Sequence, residues 1–298
     1  MLSAPVLVRG ARTSAARCAV RSGTLTVMEP SVPAPIDRPD LDARLAACGF
    51  GPVQWFESIG STNTWLAERA RAGAPAGLVA IADEQTAGRG RLGRTWIAPP
   101  GSALLMSVLI RPSMPVDRWP LAALAMGVAA MDAVVSAGAE KARLKWPNDL
   151  IMPTYGDRKL AGILAELVMM GGAQPDSGAV VVGIGTNVSR PAEVDPDVAG
   201  RAIWLDEAGA HSSVDDLAVA IITGFAERIR QLEGDPVDLL EDYRDRCATL
   251  GRDVRVELPG SVLLGTAVDI DASGHLVVRE HATGTEAPVS AGDVVHVR

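Results

Sequence analysis

Apolar and polar positions along the middle of the chain are grouped in the way expected of short buried strands. Runs rich in valine, isoleucine, leucine and alanine are bounded by glycine, proline or small polar residues, and this pattern predicts strands. The predicted strands are PVQWFESI, GLVAIADEQ, SALLMSVLIRP, ARLKWPNDLIM, KLAGILAELVMM and AVVVGIGTNVS.

Helical spacing of apolar residues marks the segments between and after these strands. STNTWLAERARAG has cap candidates at its start and stops at a glycine, and PLAALAMGVAAMDAVVSAG begins with a proline suited to a first helical turn. Two amphipathic helices are predicted near residues 214–232 and 237–250. No apolar run is long enough to span a bilayer, so we expect no membrane role.

The pattern changes after Gly251, where short alternating runs are separated by glycine or Asp-Ala-Ser-Gly turns. These runs, DVRVEL, VLLGTAVDID, HLVVRE and DVVHVR, predict a small all-β barrel. We therefore expect a catalytic domain at residues 41–250 and a barrel at residues 251–298. Residues 1–40 are expected to form a disordered tail and a proline-rich linker, with Met28 as an alternative start.

Composition narrows the function. With a formal net charge of −8, the chain lacks the general attraction to nucleic acid of a basic protein, although a local basic loop can still bind a small anion. Three cysteines in no CxxC pattern indicate neither a disulfide framework nor a zinc site, and they fit the cytoplasm. The four histidines all lie in the last third and are interpreted as lone surface residues. Only three lysines occur: Lys141, Lys145 and Lys159.

The stretch GRGRLGRTW, residues 88–96, is the most unusual feature of this acidic chain. It satisfies GxGxxG, but Pro99, Pro100 and Gly101 follow before a helix could form, which disfavours a dinucleotide site. We interpret it as a flexible anion clamp, free to be disordered without ligand, because Arg89, Arg91 and Arg94 offer permanently charged donors for carboxylate and phosphate. A solvated basic turn is the alternative.

Three further motifs carry glycine or a rare lysine, and each has an ordinary structural alternative. KWPNDL, residues 145–150, lies at the end of a predicted strand, and its Pro-Asn-Asp sequence is also typical of an ordinary turn. KLAGILAE, residues 159–166, places Gly162 where a ligand or another backbone comes close, or is a core strand with a solvent-reaching lysine. GIGTNV, residues 183–188, allows a flat ligand to lie on the backbone, or marks a bulge.

Taken in order, STNT, EQTAGRGRLGRTW, KWPNDL, KLAGILAE and GIGTNV resemble the biotin protein ligase family, strongly over residues 53–190. The resemblance implies an α+β fold: a mixed-sheet catalytic domain of the class II synthetase-like type with a small C-terminal SH3-like β-barrel. It implies that biotin and MgATP give biotinyl-5′-AMP, and that biotin then passes to a lysine of the biotin carboxyl carrier domain of acyl-CoA or pyruvate carboxylases. Biotin, ATP and Mg²⁺ are then substrates and activating ion, with no tightly bound cofactor.

The resemblance also implies roles for individual residues. Lys159, Arg89, Arg91 and Asp149 resemble the catalytic groups, with Lys159 bridging the biotin carboxylate and the α-phosphate and Asp149 orienting or deprotonating the incoming amine. The residues that resemble biotin-binding groups are Ser61, Thr62, Asn63, Gln85, Arg89, Gly90, Arg91 and Lys159. Those that resemble ATP-binding groups are Arg94, Trp96, Lys145 and Asn187.

One departure concerns DNA. Some ligases of this family carry a helix-turn-helix domain before the catalytic part, whereas residues 1–40 here have no such pattern, so we expect a ligase that does not bind DNA. A biotin-responsive transcriptional regulator and a lipoate ligase of similar fold are the alternatives.

Overall fold

The computed structural model describes residues 36–169, 178–258, 261–290 and 292–297. The helices are α1 (Pro39–Ala46), α2 (Thr62–Arg71), α3 (Leu121–Ser136), α4 (Pro196–Ala199), α5 (Val214–Glu233) and α6 (Val237–Arg246). The strands are β1 (Val53–Ile59), β2 (Val79–Gln85), β3 (Ala103–Ile110), β4 (Arg143–Lys145), β5 (Asp149–Met152), β6 (Arg158–Met169), β7 (Gly178–Asn187), β8 (Asp253–Leu258), β9 (Ser261–Ile270), β10 (Leu276–Glu280), β11 (Glu286–Val289) and β12 (Asp293–His296).

The first seven strands form one mixed sheet. Their order is β1-β2-β3-β7-β6-β5-β4, in which β1 and β2 are parallel and every other neighbouring pair is antiparallel. β7 is inserted between β3 and β6, so the strands at the centre of the sheet are not neighbours in sequence. This order pairs Ala103 of β3 with Asn187 of β7, so segments that are far apart in the chain become neighbours in the sheet.

The two faces of this sheet are covered unequally. Because side chains alternate along each strand, successive residues point to opposite faces of the sheet. Val79 and Ile81 point into the larger core, which contains α1, α3, α5 and α6, whereas Ala80 and Ala82 point to the opposite face. Among the described residues, only those of α2 form a helix that packs on that opposite face, against Ala80, Leu109, Val181 and their neighbours. A single short helix leaves part of this face uncovered, and the candidate site lies there.

The five remaining strands form a separate antiparallel sheet in the order β11-β10-β9-β8-β12. Its apolar residues, among them Val254, Val256 and Ile270, belong to the same buried cluster as α3 and α6. The indole N–H of Trp146 donates to the Gly274 carbonyl across the junction at 2.9 Å. The C-terminal unit is thus packed directly against the hairpin that carries KWPNDL.

A second contact across this junction corrects one expectation. His296 is buried, with a side chain 6% exposed, and is not a surface histidine. Its Nε2 lies 3.1 Å from Thr249 Oγ1, and its Nδ1 lies 2.9 Å from an Arg252 nitrogen and 3.3 Å from Asp157 Oδ2. Burial lowers the pKa of the His296 imidazole, the charges of Lys145 and Arg252 lower it further, and Asp157 opposes them. The prediction was wrong because this burial arises only when the two units pack together.

Other expectations differ in their boundaries. ARLKWPNDLIM is not one strand: β4 and β5 pair as an antiparallel hairpin with Lys145 opposite Asp149. α1 begins at Pro39, so folded structure starts before the predicted boundary at residue 41, and the α6 helix ends at Arg246, short of residue 250. β11 was not predicted. Residues 1–35 of the predicted tail and linker lie outside the described residues.

In the part of the chain that the structure describes, every helix is too short or too polar to cross a lipid bilayer. Cys48 and Cys247 are free thiols in that part, while Cys18 lies outside it.

Candidate active site

One wall of the site is the beginning of α2. Ser61 caps this helix by accepting from the Thr64 amide at 3.5 Å. Gln85, at the end of β2, accepts at its Oε1 from both the amide and the hydroxyl of Thr62, at 2.8 and 3.1 Å. The Thr62 hydroxyl also lies 2.7 Å from the Ser107 hydroxyl. The side chains that follow β1 and β2 are therefore fixed by one another, with their polar atoms turned to the uncovered face of the sheet.

Asn63 is also buried on this wall and is only 4% exposed. Its Oδ1 accepts from Ser107 Oγ at 2.6 Å, and its Nδ2 donates to the Leu164 carbonyl and to Glu166 Oε2, at 3.1 and 3.0 Å. The partners fix which end of the amide is oxygen and which is nitrogen. A Cβ at Gly183 would lie 2.0 Å from Asn63 Oδ1, so only glycine at residue 183 leaves room for this amide.

The stretch at residues 88–96 forms a small hairpin over the site, which we call the arginine hairpin. Arg89 pairs with Thr95 in an antiparallel bridge, and the Trp96 amide donates to the Gly88 carbonyl at 3.0 Å. A single 3₁₀ turn, Arg91–Gly93, lies at its tip. The sequence predicted a loop free to be disordered without ligand, whereas the structure gives it defined backbone hydrogen bonds, because its glycines allow the close approach that the turn requires.

The arginines of this hairpin are directed to two places. Arg89 forms an ion pair with Glu166 on β6, at 2.8 Å, and Arg91 donates to Asn148 Oδ1 at 3.2 Å. Asn148 in turn donates to the Ile163 carbonyl at 2.8 Å, which ties the β4–β5 turn to β6. The two guanidinium groups are thus anchored to different residues, Glu166 on β6 and Asn148 in the β4–β5 turn.

Lys159 lies at the same end of the pocket as Asn148. Its Nζ lies 2.6 Å from Asp149 Oδ1 and 5.3 Å from the centre of the Trp96 ring. The Lys159 and Asp149 side chains are 35% and 22% exposed. Because both are partly buried, their charges are less screened by water than those of a surface pair. This end of the pocket can therefore hold an anion beside a fixed ammonium.

Glycines form the floor on which Trp96 lies. Gly162 of β6 is directly opposite Gly185 of β7 in the sheet register. A Cβ at Gly185 would lie 2.5 Å from Trp96 Cε2, and one at Gly162 would lie 3.0 Å from Trp96 Cζ3 and 2.8 Å from Lys159 Nζ. These approaches are shorter than van der Waals contact, so both positions require glycine. The result is a flat backbone surface on which a planar group fits.

One pocket gathers these residues, and all but one of the predicted site residues line it. The lining includes Ser61, Thr62, Asn63, Gln85, Arg89, Gly90, Arg91, Arg94, Trp96, Lys145, Asp149 and Lys159. Asn187 is the exception: it is buried, and its Nδ2 donates to the backbone carbonyls of Lys159 and Ile203, at 3.2 and 3.1 Å. The structure thus places Asn187 beneath the strand that carries Lys159 and outside the lining of the pocket.

Sequence reasoning missed several residues of the site. Ser107 and Glu166 stand within apolar strands, and Val294 reaches the pocket from the C-terminal sheet. The signal for the first two was present, since a lone serine or glutamate inside an apolar strand on the polar face of a sheet needs a partner. Val294 has no such signal, because its position depends on how the two units pack.

Comparisons with known proteins place this geometry in context. Residues 55–187 match the model of the "Biotin/lipoate A/B protein ligase family", and residues 249–297 match the "Biotin protein ligase C terminal domain". The chain is 40% identical over 273 residues to a biotin–[acetyl-CoA-carboxylase] ligase of Mycobacterium tuberculosis, covering 89% of this chain and 97% of the relative. It is 31% identical over 272 residues to the bifunctional ligase/repressor BirA of Escherichia coli, covering 89% of this chain and 80% of that protein.

Solved structures agree. A biotin protein ligase from Aquifex aeolicus in complex with biotin and ATP superposes with a TM-score of 0.70 at 23% identity, covering 83% of this chain and all of that one. A biotin protein ligase from Leishmania major in complex with biotinyl-5-AMP superposes with a TM-score of 0.53 at 27% identity, covering 80% of this chain and 98% of that one. The predicted α+β fold, a mixed sheet followed by a small antiparallel unit, is confirmed.

Proposed function

The chain belongs to the biotin protein ligase family, which makes it an ATP-dependent ligase, and we propose that the pocket under the arginine hairpin is the place where it activates biotin and transfers it. The observation that carries this proposal is the polarity of the pocket. One end has neutral hydrogen-bonding groups, Asn63 and Gln85, and the other has the ammonium of Lys159. A molecule with a cyclic urea at one end and a carboxylate at the other matches this division.

In the first step the biotin carboxylate attacks the α-phosphorus of ATP, an acyl phosphate bond forms, and pyrophosphate leaves. Two anions must meet, so fixed positive charge lowers the barrier by reducing their repulsion and by stabilising charge on the transferring phosphoryl group. Lys159 and Arg91 are the groups that we assign to this task. A compact ammonium with three rotatable donors suits Lys159, because it must reach oxygens of two different groups.

In the second step the amine of an acceptor lysine attacks the acyl carbon, and AMP leaves with the bonding electrons. The amine must be neutral to attack, so a nearby carboxylate helps by accepting its proton. We propose Asp149 as that group, and we assign it a second task, since its 2.6 Å pairing orients Lys159 during the first step. The arginine hairpin covers the intermediate, which water would otherwise hydrolyse.

The nucleotide is proposed to lie against Trp96 on the floor formed by Gly162 and Gly185, with Arg94 and Lys145 near its phosphates. Asn187 does not line the pocket, but its amide donates to the Lys159 carbonyl. We therefore assign it the positioning of β6 in place of direct contact with ATP. The assignments of Trp96, Arg94 and Lys145 follow from their sharing the pocket with Lys159.

We propose that Mg²⁺ enters as the ATP complex. Among residues 36–169, 178–258, 261–290 and 292–297, no group of three or more histidine, cysteine or acidic residues is arranged to hold a metal ion. Asp149, the carboxylate nearest the reacting end, is already paired with Lys159. Phosphate oxygens and water are ligands that Mg²⁺ accepts readily, so the triphosphate itself supplies the site.

The acceptor is proposed to be the biotin carboxyl carrier domain of acyl-CoA or pyruvate carboxylases, because the relative of 40% identity is named for acetyl-CoA carboxylase. A cytoplasmic location and the lack of DNA binding stay predictions of the sequence. Incubation of the purified chain with ATP, radiolabelled biotin and an apo carrier domain tests the function. We expect label on the carrier lysine, and an unlabelled carrier in the presence of folded protein would overturn the proposal. Excess lipoate as a competitor separates biotin from lipoate as the substrate.

A further inference from the structure

Glu166 has no role in the chemistry described above, yet it joins two parts of the site. Its carboxylate accepts from Arg89 of the arginine hairpin, with Oε1 at 2.8 Å and Oε2 at 3.1 Å. Oε2 also accepts from Nδ2 of Asn63, at 3.0 Å. A single carboxylate on β6 therefore connects the arginine hairpin to the buried amide of Asn63.

The position of Glu166 along β6 separates the tasks of two arginines. The Lys159 ammonium lies beside Gly162, where a Cβ would be 2.8 Å from Nζ, and Glu166 is four residues farther along β6, which is roughly 13 Å of extended strand. Arg89 is anchored at this distant end, whereas Arg91 is hydrogen-bonded to Asn148, next to Asp149. Arg89 is therefore held farther along β6 from the ammonium of Lys159 than Arg91, whose partner Asn148 donates to the Ile163 carbonyl.

We propose that Glu166 is a positioning residue that fastens the arginine hairpin over the ring end of biotin, with Arg89 as its partner, while Arg91 acts at the reacting end. This inference rests on the proposed function of the pocket. Closing the hairpin through Arg89 keeps biotin and its adenylate in place, and the same carboxylate keeps the Asn63 amide turned so that Nδ2 points to Glu166 and Oδ1 to Ser107.

The exposure of the pair fits a fastening that opens and closes. The Arg89 side chain is 50% exposed and the Glu166 side chain is 24% exposed. Water screens a pair of this kind, so it contributes little to the stability of the fold and is broken readily. A fully buried pair would be costly to separate and would keep substrates out. The hairpin can therefore release Glu166 to admit biotin and then pair with it again.

Glu166→Gln is the variant that isolates this role. Glutamine has the same size, and its Oε1 can still accept from Asn63, but it lacks the charge that holds Arg89. We expect biotinyl-5′-AMP to leave the preloaded variant roughly three to ten times faster than the wild type, with a similar rise in KM for biotin. Single-turnover adenylate formation at saturating biotin should stay within about twofold of the wild type, because the reacting end is untouched.

Matched variants make the result decisive. Glu84→Gln removes a half-buried carboxylate of β2 that accepts from Ser58, away from the pocket, and should leave release unchanged. Arg89→Gln should speed release as Glu166→Gln does, and the double variant should be no faster than either single one. Unchanged release from Glu166→Gln, or multiplied effects in the double variant, would overturn the inference. Absence of adenylate from the wild type would instead overturn the proposed function.

Discussion

The Nζ of Lys159 and the Oδ1 of Asp149 lie 2.6 Å apart, although the two residues belong to different strands, β6 and β5. The β4–β5 hairpin brings Asp149 opposite Gly162, so the carboxylate reaches over a residue that has no side chain. The ammonium is thereby fixed in the pocket, at the end where we propose that the reaction takes place, before any substrate arrives. Such preorganisation is what allows a charge to assist catalysis without a cost of reorientation.

Replacement of this ammonium is the most direct check on the first step. Lys159→Ala should lower the rate of ATP–pyrophosphate exchange by roughly 10²- to 10³-fold, because one fixed donor to the developing charge is lost. Circular dichroism should show an unchanged fold. Lys141→Ala, at an exposed position outside the pocket, serves as the control. An exchange rate in Lys159→Ala equal to that of the control would remove Lys159 from the mechanism.

The floor formed by Gly162 and Gly185 allows a second prediction. In Gly185→Ala the new Cβ would lie 2.5 Å from Trp96 Cε2, so the indole must move away from the floor. We expect the KM for ATP to rise by about tenfold, with a stability loss of about 1–3 kcal/mol from overpacking. Gly200→Ala is the matched control, since its Cβ would meet nothing nearer than 3.5 Å. If the KM for ATP is unchanged in a folded Gly185→Ala protein, Trp96 does not contact the nucleotide.

Much of the site was predictable because some of the motifs contain glycines whose presence is explained by another group lying close to the backbone. Gly162, Gly183 and Gly185 stand within strands, where glycine is unfavourable unless something lies against the backbone. The sequence left a flat ligand and a simple bulge as alternatives, and the structure places the side chains of Trp96 and Asn63 over these glycines. The α+β class was implied by the resemblance to the biotin protein ligase family, and it was confirmed.

The remaining features depend on the order of the strands, which the sequence pattern does not encode. Ser107 and Glu166 become part of the site because β7 lies between β3 and β6, so that both of their strands adjoin the strand of Gly183. The position of Asn187 could not be foreseen either, since its partners include the carbonyl of Ile203, from a loop without a regular pattern. Arg89 and Arg91 have identical side chains, so the sequence does not show that they bind different partners, Glu166 and Asn148.

The junction between the two units allows a prediction about stability. Thr249 is fully buried, and its Oγ1 accepts from the Trp146 amide at 3.1 Å. Thr249→Val keeps the shape but leaves this N–H without a partner, which should cost about 1–3 kcal/mol of unfolding free energy. Urea denaturation measures it.

The control for that variant is Thr266→Val. Thr266 donates to Asp253 on an exposed face, so its replacement should change the unfolding free energy by less than about 0.5 kcal/mol. Equal stability of the two variants would mean that the Trp146–Thr249 contact does not hold the junction. A loss confined to Thr249→Val would show that the hairpin carrying Lys145 and Asp149 is anchored from the C-terminal side.

The same junction should respond to pH through His296. The Thr249 hydroxyl is an acceptor for Trp146 and can donate its own hydrogen to His296 Nε2, an arrangement that requires a neutral imidazole. Burial and the charges of Lys145 and Arg252 lower the pKa of His296 below its usual value of 6.5. The unfolded chain therefore takes up a proton at a higher pH than the folded one. Stability is complete above about pH 6.5 and is lost as the pH falls through the folded pKa.

Urea unfolding of the wild type and of His296→Gln between pH 8 and pH 5.5 checks this sign. The wild type should lose stability relative to the variant as the pH falls, because only the wild type has the imidazole to protonate. Asp157 faces the same imidazole, but its pKa is lowered from 3.8 by Arg252 and His296 despite its burial, so its own titration lies below this window. His211→Gln, at an exposed position, should keep the wild-type slope. If the wild type and His296→Gln show parallel curves across this range, the imidazole does not couple the two units, and the lowered pKa has no consequence for folding.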